Sequence, residues 1–170
     1  MIEISKADKQ HIPTIRKLAD QLWPVAFASI LSAQQIDYML EMMYSYASLE
    51  KQLNDGIQYA IVSKDKHNIG YVSYEIDYHQ TGKTKIHKLY ISPLHQRQGV
   101  GKAIIDYVAL QAARANNNSL FLNVNKYNTQ AICFYRKHNF VLVKEEAIDI
   151  GEGFIMDDYV FEITVSSAEQ

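Results

Sequence analysis

Near Asn54-Asp55-Gly56 the hydrophobic period of the chain changes, and that change limits the folds open to it. Upstream, apolar residues recur at helical spacing: Ile12, Ile15, Leu18, Ala19 and Leu22, then Ile36, Met39, Leu40, Met43 and Tyr44. Downstream, 57–63, 69–78 and 84–91 are rich in β-branched and aromatic residues and read as strands, with a turn over 64–68 between the first two. A short strand over 2–5 opens the chain. Asp8 and Ser32 stand where helix caps belong, Pro13 falls early in the first helix, and Ser48 or a neighbour caps a third helix over 49–54. Pro93 cannot donate to a ladder and ends the strand before it. A helix over 99–116, a strand over 119–124, a helix over 129–137 and strands over 140–149 and 154–164 complete the order. Strands interleaved with helices in this way predict a mixed α/β domain around one central sheet.

The 170 residues fit a single domain spanning 1–170, and no linker or repeat interrupts them. The 17 Lys and Arg against 19 Asp and Glu leave a formal net charge of −2, without the basic excess that nucleic-acid binding usually requires. Cys133 is the one cysteine, so no internal disulfide can form, which fits a reducing compartment. The first residues carry no signal-peptide pattern, and no run reaches the roughly 18 apolar residues of a membrane span. We therefore expect a cytoplasmic protein without nucleic-acid or membrane partners. The six histidines lack metal-ligand spacing, so no metal is expected.

The segment 86–102, IHKLYISPLHQRQGVGK, runs from an apolar strand through a loop into a helix opened by Gly99-Val100-Gly101. A helix N-terminus carries free N–H groups and a positive dipole end, and glycines let the backbone approach a phosphate closely. Two glycines alone are equally a plain turn into a helix. Neither the G-x-G-x-x-G nor the G-x-x-x-x-G-K-[ST] pattern is present, which excludes the Rossmann and Walker loops.

Gln96-Arg97-Gln98-Gly99-Val100-Gly101 resembles the Q/R-x-x-G-x-G/A signature of the GNAT acetyltransferase superfamily. A second block, Asn128 to Tyr135 followed by Arg136 to Phe140, resembles that family's N-x-x-A-x-x-F-Y-x-x-x-G-F pattern. Asn139 departs from the usual glycine, but asparagine tolerates the left-handed backbone needed there. The resemblance implies the GNAT acyl-CoA acyltransferase fold, with a mixed, mostly antiparallel sheet flanked by helices. It also implies an enzyme that moves acetyl from acetyl-CoA to a primary amine of a small molecule, with a tilt toward polyamine-like acceptors and small bacterial relatives. Two other readings stay open: an acetyl-CoA-binding sensor without turnover, and an acetyltransferase of protein lysines or N-termini.

Residue by residue, the resemblance places the coenzyme pyrophosphate on the backbone of 97–102, so that Gln96, Arg97, Gln98, Gly99, Val100, Gly101 and Lys102 form the cofactor loop. Leu89, Tyr90 and Ile91 would line the pantetheine arm, Leu89 and Ile91 through their backbones, with Asn128 and Ala131 also on the cofactor side. Asn128 is equally a helix cap. Tyr135 matches the tyrosine beside the coenzyme sulfur, where a phenol can protonate the leaving thiol. His87 stands where polyamine-type relatives often carry a glutamate base, and strand alternation puts it on one face with Leu89 and Ile91. Glu75 and Asp77, read on the preceding strand, are alternative bases or binders of a cationic amine. Asp157 could attract the same cation, and alternation sends it to one face with Tyr159. Trp23 and Tyr44 are expected as walls of the acceptor pocket. Cys133 is expected to be buried, and an exposed terminal strand would permit a homodimer.

Overall fold

The computed structural model describes residues 1–166. It contains seven strands, β1 (Ile2–Ala7), β2 (Gln58–Lys64), β3 (His67–Glu75), β4 (Lys83–Ile91), β5 (Ser119–Asn125), β6 (Val141–Gly151) and β7 (Phe154–Thr164). Five helices accompany them: α1 (Ile12–Phe27), α2 (Ala33–Tyr44), α3 (Tyr46–Asn54), α4 (Val100–Arg114) and α5 (Thr129–Lys137). The strands form one sheet in the order β1-β2-β3-β4-β5-β7-β6. It is mixed: β4 and β5 run parallel, whereas β1–β2, β2–β3, β5–β7 and β6–β7 are antiparallel. The fold class expected from sequence is the one observed. No helix among the described residues is long and apolar enough to cross a membrane.

The chain divides into two compact units. The first holds Met1–Glu75 with His87–Val108, the second Ile76–Ile86 with the chain from Ala109 onward. In the first unit, Asp8 accepts from Gln10 N at 2.9 Å and caps a short 3-10 turn that feeds α1. Ser32 Oγ accepts from Gln35 N and Ser45 Oγ from Ser48 N, so serines start α2 and α3. The third helix thus begins at Tyr46, three residues earlier than its sequence suggested, because Ser45 rather than Ser48 is the cap. Strands β2 and β3 turn back through Asp65 and Lys66, both at positive φ (50° and 67°), so the turn is tighter than the five residues expected. Within β3, Gly70 lies against β4. A Cβ there would fall 2.4 Å from the Tyr90 carbonyl oxygen, and Ser92 N–H bonds Ile69 O at 2.7 Å beside it.

Aromatic rings fill this unit's core. Tyr44 OH accepts hydrogen bonds from Trp23 Nε1 (3.0 Å) and Tyr71 OH (2.7 Å), and the rings of Trp23, Phe27 and Tyr71 meet Tyr90 on β4. Burying phenols is tolerable here because each hydroxyl has a partner.

In the second unit, β4 pairs with β5 from Lys83–Ser119 to Ile86–Leu122. Asn117 Oδ1 accepts from both Thr84 Oγ1 (2.7 Å) and Asp77 N (2.8 Å), which ties the turn before β4 to the start of β5. Helix α5 seats Tyr135 between Phe140 and Phe161. Its exit residue Asn139 adopts φ 68°, the left-handed backbone expected of it. Cys133 is exposed, contrary to expectation, because it lies two residues, about 200° of helix rotation, from the inward Tyr135.

Replacing Gly70 with alanine should lower unfolding stability by about 3 kcal/mol, since a backbone carbonyl cannot step aside as a side chain can. Urea denaturation checks this; a loss below about 0.5 kcal/mol would refute the close approach.

Candidate active site

Two parts of the first unit flank the end of β4. The first is the loop after it. Arg97 and Gly99 both take positive φ (60° and 80°), a pair of left-handed residues that turns the chain abruptly into α4. The first amide of the helix to reach back is Ala103 N–H, which bonds Gly99 O at 3.0 Å. The N–H groups of Val100, Gly101 and Lys102 precede that bond and lack an intrahelical acceptor, as at any helix start. Arg97, Gln98 and Gly99 are exposed, while Val100 and Ile104 anchor the helix in the core. The loop therefore turns free amides and a dipole end outward on a fixed base. Nothing lies within 4 Å of a Cβ at Gly99, so its φ rather than crowding calls for glycine. Lys102 is paired with Asp106, and Gln98 is held by Lys64 and by the Leu94 carbonyl. Of the two loop cations, Arg97 makes no ion pair among the described residues.

The second part is a histidine–carboxylate pair. His87 Nε2 lies 2.9 Å from Glu75 Oε2, both side chains being about a quarter exposed (22% and 26%). Sequence offered these two as alternative bases; the structure brings them together as one unit. Asp77 does not join them. Strand β3 ends at Glu75, and Asp77 stands in the following turn at φ 52°, its carboxylate accepting from Gly82 N at 2.8 Å. The expectation that Asp77 lies on the strand is thus corrected: its carboxylate serves the turn.

On the face of β4 opposite His87 lies a residue that sequence reasoning missed. Thr84, Ile86 and Lys88 alternate into the interior, and Lys88 is only 7% exposed. Its ammonium donates to Gln52 Oε1 (2.6 Å) on α3, to Tyr59 OH on β2 and, at 3.5 Å, to Met43 O at the end of α2. The Tyr44 ring stands 4.4 Å below it. No carboxylate pairs with it among the described residues, and burial pulls its pKa down to about 7. Period-two alternation across Thr84-Lys85-Ile86-His87-Lys88 was the signal that could have found it.

Trp23 and Tyr44, expected at the acceptor pocket, are 2% and 0% exposed and bonded to each other within the aromatic core. Tyr90 is half-buried on that core, and Leu89 and Ile91 are half-buried on the opposite face of β4.

The second unit carries the remaining candidates. Tyr135 is buried in α5, its phenol pushed well above the usual range by desolvation, and its hydroxyl has no hydrogen-bond partner among the described residues. Asn128 caps α5, with Oδ1 accepting from Ala131 N at 3.2 Å, which leaves its amide NH₂ to donate elsewhere. Asp157 and Tyr159 share a face, as alternation required, since both meet Lys126, with Asp157 2.9 Å from its ammonium. Asp158 was not singled out by sequence. It is 3% exposed beside Asn123, and burial raises its pKa.

The protein-family model for the acetyltransferase (GNAT) family matches residues 15–140. The spermidine N(1)-acetyltransferase of Thermoplasma acidophilum is 26% identical over 161 residues, which cover 92% of this chain and 96% of that protein. The peptidyl-lysine N-acetyltransferase YjaB of Salmonella typhimurium is 32% identical over 74 residues, 43% of this chain and 48% of that protein. Among solved structures, the PaiA N-acetyltransferase of Thermoplasma acidophilum in complex with coenzyme A superposes with a TM-score of 0.80 at 21% identity, covering 96% of this chain and 99% of that one.

The buried Lys88 makes stability depend on pH. Between about 7 and its unfolded value of 10.5, the unfolded chain holds a proton at this position that the folded chain has released. Stability should therefore rise with pH across that window, by up to about 1.4 kcal/mol per unit. Chemical denaturation at pH 7 and 9.5 should show this slope in the wild type and a flatter one in Lys88→Met; equal slopes would refute the assignment.

Proposed function

The chain belongs to the acetyltransferase (GNAT) family, and from that premise we propose that it is a single catalytic domain that transfers acetyl from acetyl-CoA to a primary amine of a small, polyamine-like molecule. The observation that carries this reading is the loop over 96–102. Its left-handed Arg97 and Gly99, its outward amides and its anchored helix fit a diphosphate, which needs several convergent N–H donors and little else. When bound, acetyl-CoA supplies an acyl carbon already activated as a thioester.

The chain's own groups then divide the work. The N–H groups of 97–102 hold the pyrophosphate, and the Arg97 guanidinium adds charge at its edge. The backbones of Leu89 and Ile91 orient the pantetheine arm, with the free amide of Asn128 and the surface of Ala131 assigned to the same ligand. An ammonium has no lone pair, so the acceptor must lose a proton before it can attack. His87 takes that proton at its ring, and Glu75 orients the ring and stabilises its charged form, which explains why a histidine can serve where a lone carboxylate is more usual. Tyr135 keeps its proton at neutral pH because burial disfavours the phenolate; it donates that proton from its hydroxyl to the departing sulfur as the nitrogen of the forming amide gives up its second proton, which restores the phenol. Asp157 is assigned to attract the cationic acceptor, although its ion pair with Lys126 weakens that pull.

The small-amine reading is favoured over peptide lysine by the extent of the similarities. The spermidine enzyme matches along nearly its whole length, the peptidyl-lysine enzyme along less than half.

Thiol release from acetyl-CoA, measured with a panel of polyamines, monoamines and a lysine peptide, should show turnover on a polyamine and little on the peptide. Tyr135→Phe and His87→Gln should each lower kcat by about 10²-fold or more while coenzyme binding persists. Absence of coenzyme binding would overturn the proposal, and turnover confined to the peptide would overturn the acceptor class. Gly99→Val should weaken coenzyme binding by about tenfold, since a β-branched residue resists φ 80°; unchanged affinity in a calorimetric titration would remove the loop from the site.

A further inference from the structure

Among the described residues, Lys88 is the one buried cation, and the proposed chemistry leaves it unused. Its surroundings form a complete cage. An ammonium has three N–H donors, and three acceptors from three different elements meet them: Met43 O from α2, Gln52 Oε1 from α3 and Tyr59 OH from β2. Met43 is the penultimate residue of α2, so its carbonyl belongs to the negative end of that helix. Gln52 Nε2 donates to the same carbonyl at 2.7 Å, and Tyr59 OH donates to Gln52 Oε1 at 2.5 Å. The cage thus spans the α2–α3 elbow at Ser45 and fastens it to β4 next to the His87–Glu75 pair.

The cage can hold either charge state, but not with the same bonds. The ammonium donates to all three acceptors. The neutral amine has a lone pair, which the Tyr59 hydroxyl can satisfy only by turning its proton away from Gln52. Loss of one proton therefore rewires Tyr59 and Gln52 and removes the cation from the faces of the Tyr44 and Tyr59 rings (4.4 and 5.1 Å). The titratable groups facing Lys88 are Tyr44 from α2 and Tyr59 from β2, and burial pushes both phenols up, so neither competes for ionisation near neutrality. His87 is adjacent in sequence but bonds Glu75 on the other side of the strand. From Lys88 the contacts run on through Tyr44 and Tyr71 to Tyr90, at the end of β4 where the loop begins.

We propose that Lys88 is a positioning residue that acts as a proton-controlled latch: the neutral amine lets the α2–α3 elbow settle on β4, and uptake of a proton forces a charge into the cage and loosens the elbow and the end of β4 together. As a statement about the reaction, this rests on the function proposed above. As a statement about the latch, it does not.

Trp23 is the only tryptophan, and its Nε1 bonds the Tyr44 hydroxyl whose ring carries the cation, so its fluorescence reads the latch directly. In the purified full chain, Trp23 emission should titrate with a midpoint near pH 7. Tyr59→Phe keeps the ring and removes one acceptor of the ammonium, so it should move the midpoint down by about one pH unit. Lys88→Met should abolish the transition. KM for the preferred amine should change about fivefold over the same interval in the wild type, with a smaller change in kcat, and should be flat in Lys88→Met. A transition that persists unchanged in both variants, or no transition in the wild type, would overturn the latch. A transition that KM ignores would overturn the positioning role. Failure to acetylate any amine would instead overturn the proposed function, and the emission titration would still decide the latch.

Discussion

A buried lysine enclosed by neutral dipoles constrains the first unit. Among the described residues Lys88 has no carboxylate to offset its desolvation, so every acceptor around it must stay in place. That requirement reaches three elements at once. It fixes the carbonyl end of α2, the rotamer of Gln52 on α3 and the hydroxyl of Tyr59 on β2. The aromatic core supplies the remaining support: the Tyr44 ring faces the cation while its hydroxyl is held by Trp23 and Tyr71. A core built of phenols and an indole, rather than of aliphatic groups, is what such a charge can tolerate, because those rings offer both bulk and electron-rich faces.

Strand β4 consequently does different work on its two faces. One face presents His87 with its carboxylate partner and the half-buried Leu89 and Ile91; the other carries Thr84, Ile86 and Lys88 inward. Its far end is pressed against Gly70, whose missing side chain lets β3 approach the Tyr90 carbonyl. The loop that follows thus starts from a strand end with little freedom to shift, and preorganised amides bind an anion without first paying to order themselves.

Much of this was legible in the sequence, for local reasons. Helix α5 falls on 129–137 as its spacing indicated, because Asn128 caps it and Asn139 ends it in the left-handed region. The loop before α4 was legible because its glycines and the preceding Pro93 punctuate the chain. What escaped were consequences of tertiary structure. The Asp65-Lys66 turn adopts two positive φ values without the Asn or Gly that usually signals them. Asp77 looks like one more alternating strand position, but its carboxylate is taken by a turn amide five residues on. Trp23 and Tyr44 read as amphipathic helix residues, and only the packing of Tyr71 and Tyr90 against them shows how deeply they are buried. Lys88 was hidden by its type: lysine on a strand suggests solvent, and the alternation that contradicts this was read only for the face bearing His87.

The two compact units are also interleaved along the chain. Each is assembled from two separate stretches, and both β4 and α4 pass from one unit into the other in mid-element, at Ile86/His87 and Val108/Ala109. Recombination between relatives exchanges contiguous segments, so no single crossover can transplant one unit whole. A crossover in the loop between β4 and α4 would join the Lys88 cage and the His87–Glu75 pair of one parent to the Tyr135 helix of another. The sequence would thereby inherit one half of β4's neighbours from each lineage.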